Sequence, residues 1–134
     1  MNISTFDDLL SAARAQAAPQ RLLFVFAGAE LPANATEEQR AAFAQGHGGE
    51  LNPLMCVDKA ADQLVNFSAL IEESREAGPP WSIVFATALA GEVGVAPDSK
   101  AVEGALQRMV ERVRDGDLDG MVPFDTTGMA VTLA

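Results

Sequence analysis

Tyrosine is missing from this chain of 134 residues, and cysteine, histidine and tryptophan occur once each, as Cys56, His47 and Trp81. A single cysteine excludes an intrachain disulfide and leaves no CxxC or Cys/His array to hold zinc. Basic residues are scarce: nine Lys and Arg stand against nineteen Asp and Glu, a formal charge of −10. That balance repels phosphate backbones and anionic lipid heads, which argues against nucleic acid and membrane surfaces as partners. No apolar run approaches the eighteen or so residues of a membrane span. Met1–Leu10 carries Asp7 and Asp8 where an export signal has a basic start. The expected location is the cytoplasm, where a lone thiol stays reduced.

What is present is a globular composition, 49% apolar and 21% charged. The length suits one domain spanning residues 1–134, with no linker, repeat or low-complexity segment. A mean hydropathy of +0.11 is high for a chain that stays dissolved alone. Sharing of apolar surface with a second copy is therefore expected, and a homodimer is the first expectation for its partners.

Along the chain, Ser4 and Thr5 can cap a helix whose apolar face is Phe6, Leu9, Leu10 and Ala13, ending before Pro19. Arg21–Gly28 is a nearly unbroken run of strand formers, read as a strand covered on both faces. Thr36 to Gln39 is a capping box that opens a short helix through Phe43, closed by Gly46, Gly48 and Gly49. Leu54–Val57 suits a second strand, with Asp58 capping a following helix that carries Ala60, Leu64, Phe67, Ile71 and Ser74 on one face. Gly78, Pro79 and Pro80 stop it, and Trp81–Ala90 reads as a third strand. Pro97, Asp98 and Ser99 open the clearest helix, striped by Val102, Ala105, Leu106, Met109, Val110 and Val113. Met121–Phe124, a turn at Asp125–Gly128, and Met129–Leu133 read as a hairpin, with Pro123 near an edge. Strands alternating with helices imply right-handed parallel crossovers. The expected fold is α/β: a mixed, mostly parallel sheet of about five strands flanked by helices and ending in an antiparallel hairpin.

No catalytic constellation is complete. Cys56 and His47 form the one thiol and imidazole pair, but Cys56 sits in an apolar run and is expected to be a small buried hydrophobe. Asp115, Asp117 and Asp119, followed by Gly120, match the first half of an EF-hand calcium loop. The match then fails, because Thr126 stands where calcium needs a bidentate carboxylate, and Arg112 and Arg114 are near enough to neutralise the acids. Metal binding is therefore not expected, and calcium at the 115–120 turn is kept as an alternative. If a small-molecule site exists, the carboxyl ends of parallel strands would hold it, which selects Glu30, Asp58, Lys59, Glu92 and Ser99 as candidate ligand contacts. Gly91 to Ser99 fits neither phosphate-binding glycine motif, and no cofactor is implied.

Three segments, Arg21–Phe26 (RLLFVF), Pro53–Lys59 (PLMCVDK) and Gly78–Phe85 (GPPWSIVF), resemble a family of small bacterial proteins sometimes labelled "ribonucleotide reductase subunit alpha", and the likeness covers most of the chain. Reductase chemistry resembles a large radical barrel with several redox cysteines, which one cysteine cannot supply, so the resemblance implies no functional residue. Two function classes follow. The favoured one is a non-catalytic interaction or accessory domain that self-associates or takes a protein partner; the other is a small enzyme or ligand binder using the strand-end residues.

Overall fold

The strand formed by Gln20–Glu30 (β1) explains most of the architecture. Its inner residues are among the least exposed in the protein, and they alternate between two separate apolar clusters. Leu22, Phe24 and Phe26 face one side with Phe6, Leu9, Leu10, Phe67 and Leu70. Leu23, Val25 and Ala27 face the other with Val102, Met109 and Val113. A strand apolar at every position needs cover on both faces, and helices supply it on each.

The computed structural model describes residues 3–31, 33–45 and 50–132. In chain order the remaining elements are α1 (Phe6–Arg14), α2 (Glu37–Ala44), β2 (Glu50–Ala60), α3 (Phe67–Ala77), β3 (Ile83–Ala90), α4 (Ser99–Asp115) and β4 (Val122–Phe124). Helices α1 and α3 lie on one face of the sheet and α4 on the other. The Phe6 ring joins three elements on the first face, 5.7 Å from Phe24, 4.9 Å from Phe67 and 5.5 Å from Phe124 between centroids.

Among the described residues four strands are present in the order β2-β1-β3-β4, and every neighbouring pair is antiparallel. The expected mostly parallel sheet of about five strands is therefore corrected. Alternation of strands and helices does not by itself impose parallel pairing: β1 and β2 flank α2, and β3 and β4 flank α4, yet each pair is adjacent and antiparallel. Here β2 and β3, joined through α3, do run the same way, but β1 lies between them and opposes both. The expected terminal hairpin also shrinks. After β4 the chain turns at Asp125–Gly128 and returns through a single bridge, Phe124 to Ala130, with Val131 N–H bonded to Pro123 O. Leu133, its expected end, lies outside the described residues.

Strand β2 runs from Glu50 to Ala60, well beyond the expected Leu54–Val57. Asp58 is accordingly a strand residue rather than a helix cap, and Ala60 belongs to the strand rather than to the helix face. Helix α3 starts at Phe67 and is capped by Asn66, whose side chain accepts from Ala69 N–H. The intervening turn is held by Arg14, which donates to the carbonyls of Ala61 and Leu64. Helices α1 and α2 begin as their sequences imply, with reciprocal capping boxes from Thr5 and Asp8 and from Thr36 and Gln39.

Candidate functional site

An antiparallel sheet has no shared carboxyl end, and the five candidate ligand contacts separate accordingly. Glu30 ends β1 opposite Glu50, at one end of the sheet. Asp58 and Lys59 lie near the other end, where Glu92 follows β3 and Ser99 begins α4. Each described charge among them has a local partner or faces solvent. Asp58 accepts from Arg21 at 2.6 Å, and Lys59 donates to Glu73 at 2.5 Å. Asp58 is opposite Leu23 and Lys59 opposite Leu22, so the two ion pairs lie on opposite faces of β2. Glu92 and Ser99 are exposed, and the N-cap of α4 is Asp98, which accepts from Ala101 N–H at 2.7 Å.

Cys56 is exposed, contrary to the expectation of a buried thiol. The reason is its place on an edge strand: opposite Val25 it faces the α4 side, at the margin of the cover that α4 gives. His47 lies outside the described residues. Among the described residues no three His, Cys, Asp or Glu side chains converge as a metal would require. At the 115–120 turn, Gly116 closes α4 in the left-handed conformation (φ 76°), and Arg112 grips Asp117 Oδ2 at 3.2 Å and the Asp119 carbonyl. The hydrogen bond from Arg112, followed by its charge, holds the Asp117 carboxyl below its ordinary range.

The feature that the structure adds is the outer edge of β2. Among the described residues this strand pairs with β1 alone. The direction of its unpaired backbone groups follows from the hydrogen bonds of β1. Ala27 and Pro19 carbonyls accept from Ser82 and Gly91 on the β3 side, whereas the Gln20 carbonyl accepts from Ala61 on the β2 side. Alternation along β1 therefore aims Leu22, Phe24, Phe26 and Gly28 at β2, so their partners Lys59, Val57, Met55 and Asn52 point inward. Leu51, Pro53, Cys56 and Asp58 consequently turn their backbone groups outward, away from β1.

A bulge interrupts this strand. Phe26 opposes Met55 and Ala27 opposes Pro53, which leaves Leu54 as the extra residue. Beside the edge, Cys56 and the half-buried Leu106 and Val110 of α4, with Glu103, Glu111 and Arg114, line an open groove of about 700 Å³. Pro53 inside the strand and the charges at Asp58 and Lys59 were the sequence signals for an edge, since proline and charge are tolerated there and rare in central strands.

Compared with family models, curated proteins and solved structures, the chain gives no match. Among the described residues no helix is long and apolar enough to cross a membrane.

Proposed function

We propose that this domain is a non-catalytic interaction module that self-associates through the edge of β2. The observation that carries the reading is the outer edge of β2, eleven residues long with half-buried side chains along most of its length and, among the described residues, no second strand beside it. An edge of that length is a template for another strand, and natural sheets normally shorten or cover such edges. The far edge shows the contrast in length and cover: β4 has three residues and is covered by the returning chain at Ala130 and Val131, whereas β2, though it too carries a proline, a bulge and charges, is eleven residues long. A long open edge beside a short covered one supports addition of a strand at the open edge. Cytoplasmic residence and bacterial kinship, as in the resembled family, belong to the same reading.

Light scattering at micromolar concentration tests it, with twice the 14.1 kDa chain mass expected. Cys56→Pro removes an outward N–H without touching the β1 ladder, and it should convert the protein to monomers with an unchanged circular dichroism spectrum. A monomer for the native chain, or a dimer insensitive to Cys56→Pro, would overturn the reading.

A further inference from the structure

We infer that the strand added to β2 is the β2 of a second copy, antiparallel, with Glu50 opposite Lys59 of the partner subunit and the two-fold axis between Leu54 and Met55. The inference rests on the self-association proposed above and names its register. Three independent features of the strand select it.

The first is backbone direction. A two-fold axis normal to the sheet must bring outward-pointing residues opposite outward-pointing ones. In this register Leu51 meets Asp58 and Pro53 meets Cys56, all four outward, while Glu50 meets Lys59 and Asn52 meets Val57 as the non-bonded pairs between them. The two copies contribute four bonded pairs, giving about six hydrogen bonds after subtracting the two N–H groups that Pro53 lacks.

The second is the side-chain faces, because residues opposite each other across a strand pair share one face. Pro53, Cys56 and Asp58 oppose Ala27, Val25 and Leu23, which belong to the α4 side, and Leu51 packs there as well. Met55 and Val57 pack on the α1 and α3 side, where Lys59 opposes Leu22. The bulge shifts the alternation by one residue between the two halves of the strand. Pairing the first half with the second half of another copy therefore restores matching faces at every position. A register centred on Cys56 would set outward Pro53 against inward Lys59, on opposite faces. The bulge that rejects other strands thus becomes matched across the axis.

The third is charge. Glu50, Asp58 and Lys59 are the ionisable residues of β2 apart from Cys56, and this register places Glu50 against Lys59 twice while setting no two like charges opposite. Lys59 keeps its bond to Glu73, since an ammonium has three donors.

The test is disulfide trapping. Pro53→Cys places two thiols opposite each other in a bonded pair, with Cα atoms about 5.5 Å apart, inside the range a disulfide spans. Mild oxidation should give an interchain link between positions 53 and 56, identified by peptide mass. The native chain, whose two Cys56 residues are offset by three residues or about 10 Å, should give none. Independently of thiols, Glu50→Lys should weaken self-association about ten-fold and Glu50→Lys with Lys59→Glu should restore it. A dimer that links Cys56 to Cys56, or that fails both to trap at 53 and to show charge rescue, overturns the register and leaves self-association standing. A monomeric native chain overturns both.

Discussion

The indole Nε1–H of Trp81 donates to the hydroxyl of Ser74 at 2.9 Å, and that hydroxyl donates in turn to the Ile71 carbonyl at 2.7 Å. Ser74 is a buried polar residue on α3, so the chain ties the last turns of that helix to the entry of β3. The Trp81 ring also stands edge-on to Phe26, 4.9 Å between centroids. Ser74→Ala removes the acceptor of the half-buried indole N–H, which costs about 1–2 kcal/mol and lowers Tm by roughly 4–7 °C. Because Trp81 is the sole tryptophan, its emission reports the same site. An unchanged melt and unchanged emission would mean that the indole finds water just as well.

Cys56 should be chemically accessible in the monomer and shielded in the assembly. Its exposure predicts rapid labelling of the native protein by a bulky maleimide at nanomolar concentration. The rate should fall as concentration rises and the partner's Pro53 closes over it. Cys56→Ala should change stability by no more than about 0.5 kcal/mol, as an exposed substitution does. Labelling that is slow at every concentration would return the thiol to the buried role first expected for it.

The elements were more legible than their arrangement. Phe6, Leu9, Leu10 and Ala13 bury as their spacing implies, and Val102, Met109 and Val113 do the same on α4. These periodicities are local, so the sequence carries them directly. Strand direction is not local: Leu22 to Ala27 read the same whether the neighbours run parallel or antiparallel, because two-sided burial erases the alternation that would separate the cases. From sequence β2 looks shorter than it is, because Pro53 and the Asp58 and Lys59 charges resemble strand ends. In an edge strand they are interior, with the charges held by Arg21 and Glu73. The long outer edge of β2 is hidden for the same reason, since it becomes visible only once β2 is seen to be long and, among the described residues, to have one neighbouring strand.

Gly128 should be intolerant of any side chain. It lies in the turn after β4 with φ +87°, and an added Cβ would sit 2.9 Å from Phe67 Cδ2. Its carbonyl also accepts from Phe6 N–H at 2.8 Å, so the turn cannot move without disturbing the start of α1. Gly128→Ala combines left-handed strain with overpacking and should cost about 2–4 kcal/mol. Gly94 is the control: its φ is +79° but nothing lies within 4 Å, so Gly94→Ala should cost only about 1–2 kcal/mol. Chemical denaturation of the pair measures the difference, and equal losses would show that the Phe67 contact relaxes freely.

The same turn makes stability sensitive to acid. Asp125 Oδ1 accepts from Thr127 N–H at 2.8 Å, Thr127 Oγ1 at 2.5 Å and Met129 N–H at 3.2 Å. The Thr127 hydroxyl bond, then the backbone donors, hold its carboxyl below the ordinary value of 3.8. A carboxyl with a depressed folded pKa stabilises the fold fully above its unfolded pKa and loses that contribution as pH falls through the folded one. Asp125→Asn keeps an acceptor oxygen and removes the charge. The Tm of the native chain should therefore exceed that of Asp125→Asn by a constant margin between pH 5 and 7, and the margin should shrink below about pH 4. Protonation of the other acids also relieves the repulsion within a chain of charge −10, but it does so equally in both proteins and cancels in the difference. A margin that stays flat down to about pH 2 would mean that the charge on Asp125 contributes nothing to the turn and that its acceptor geometry alone holds the return of the chain to α1.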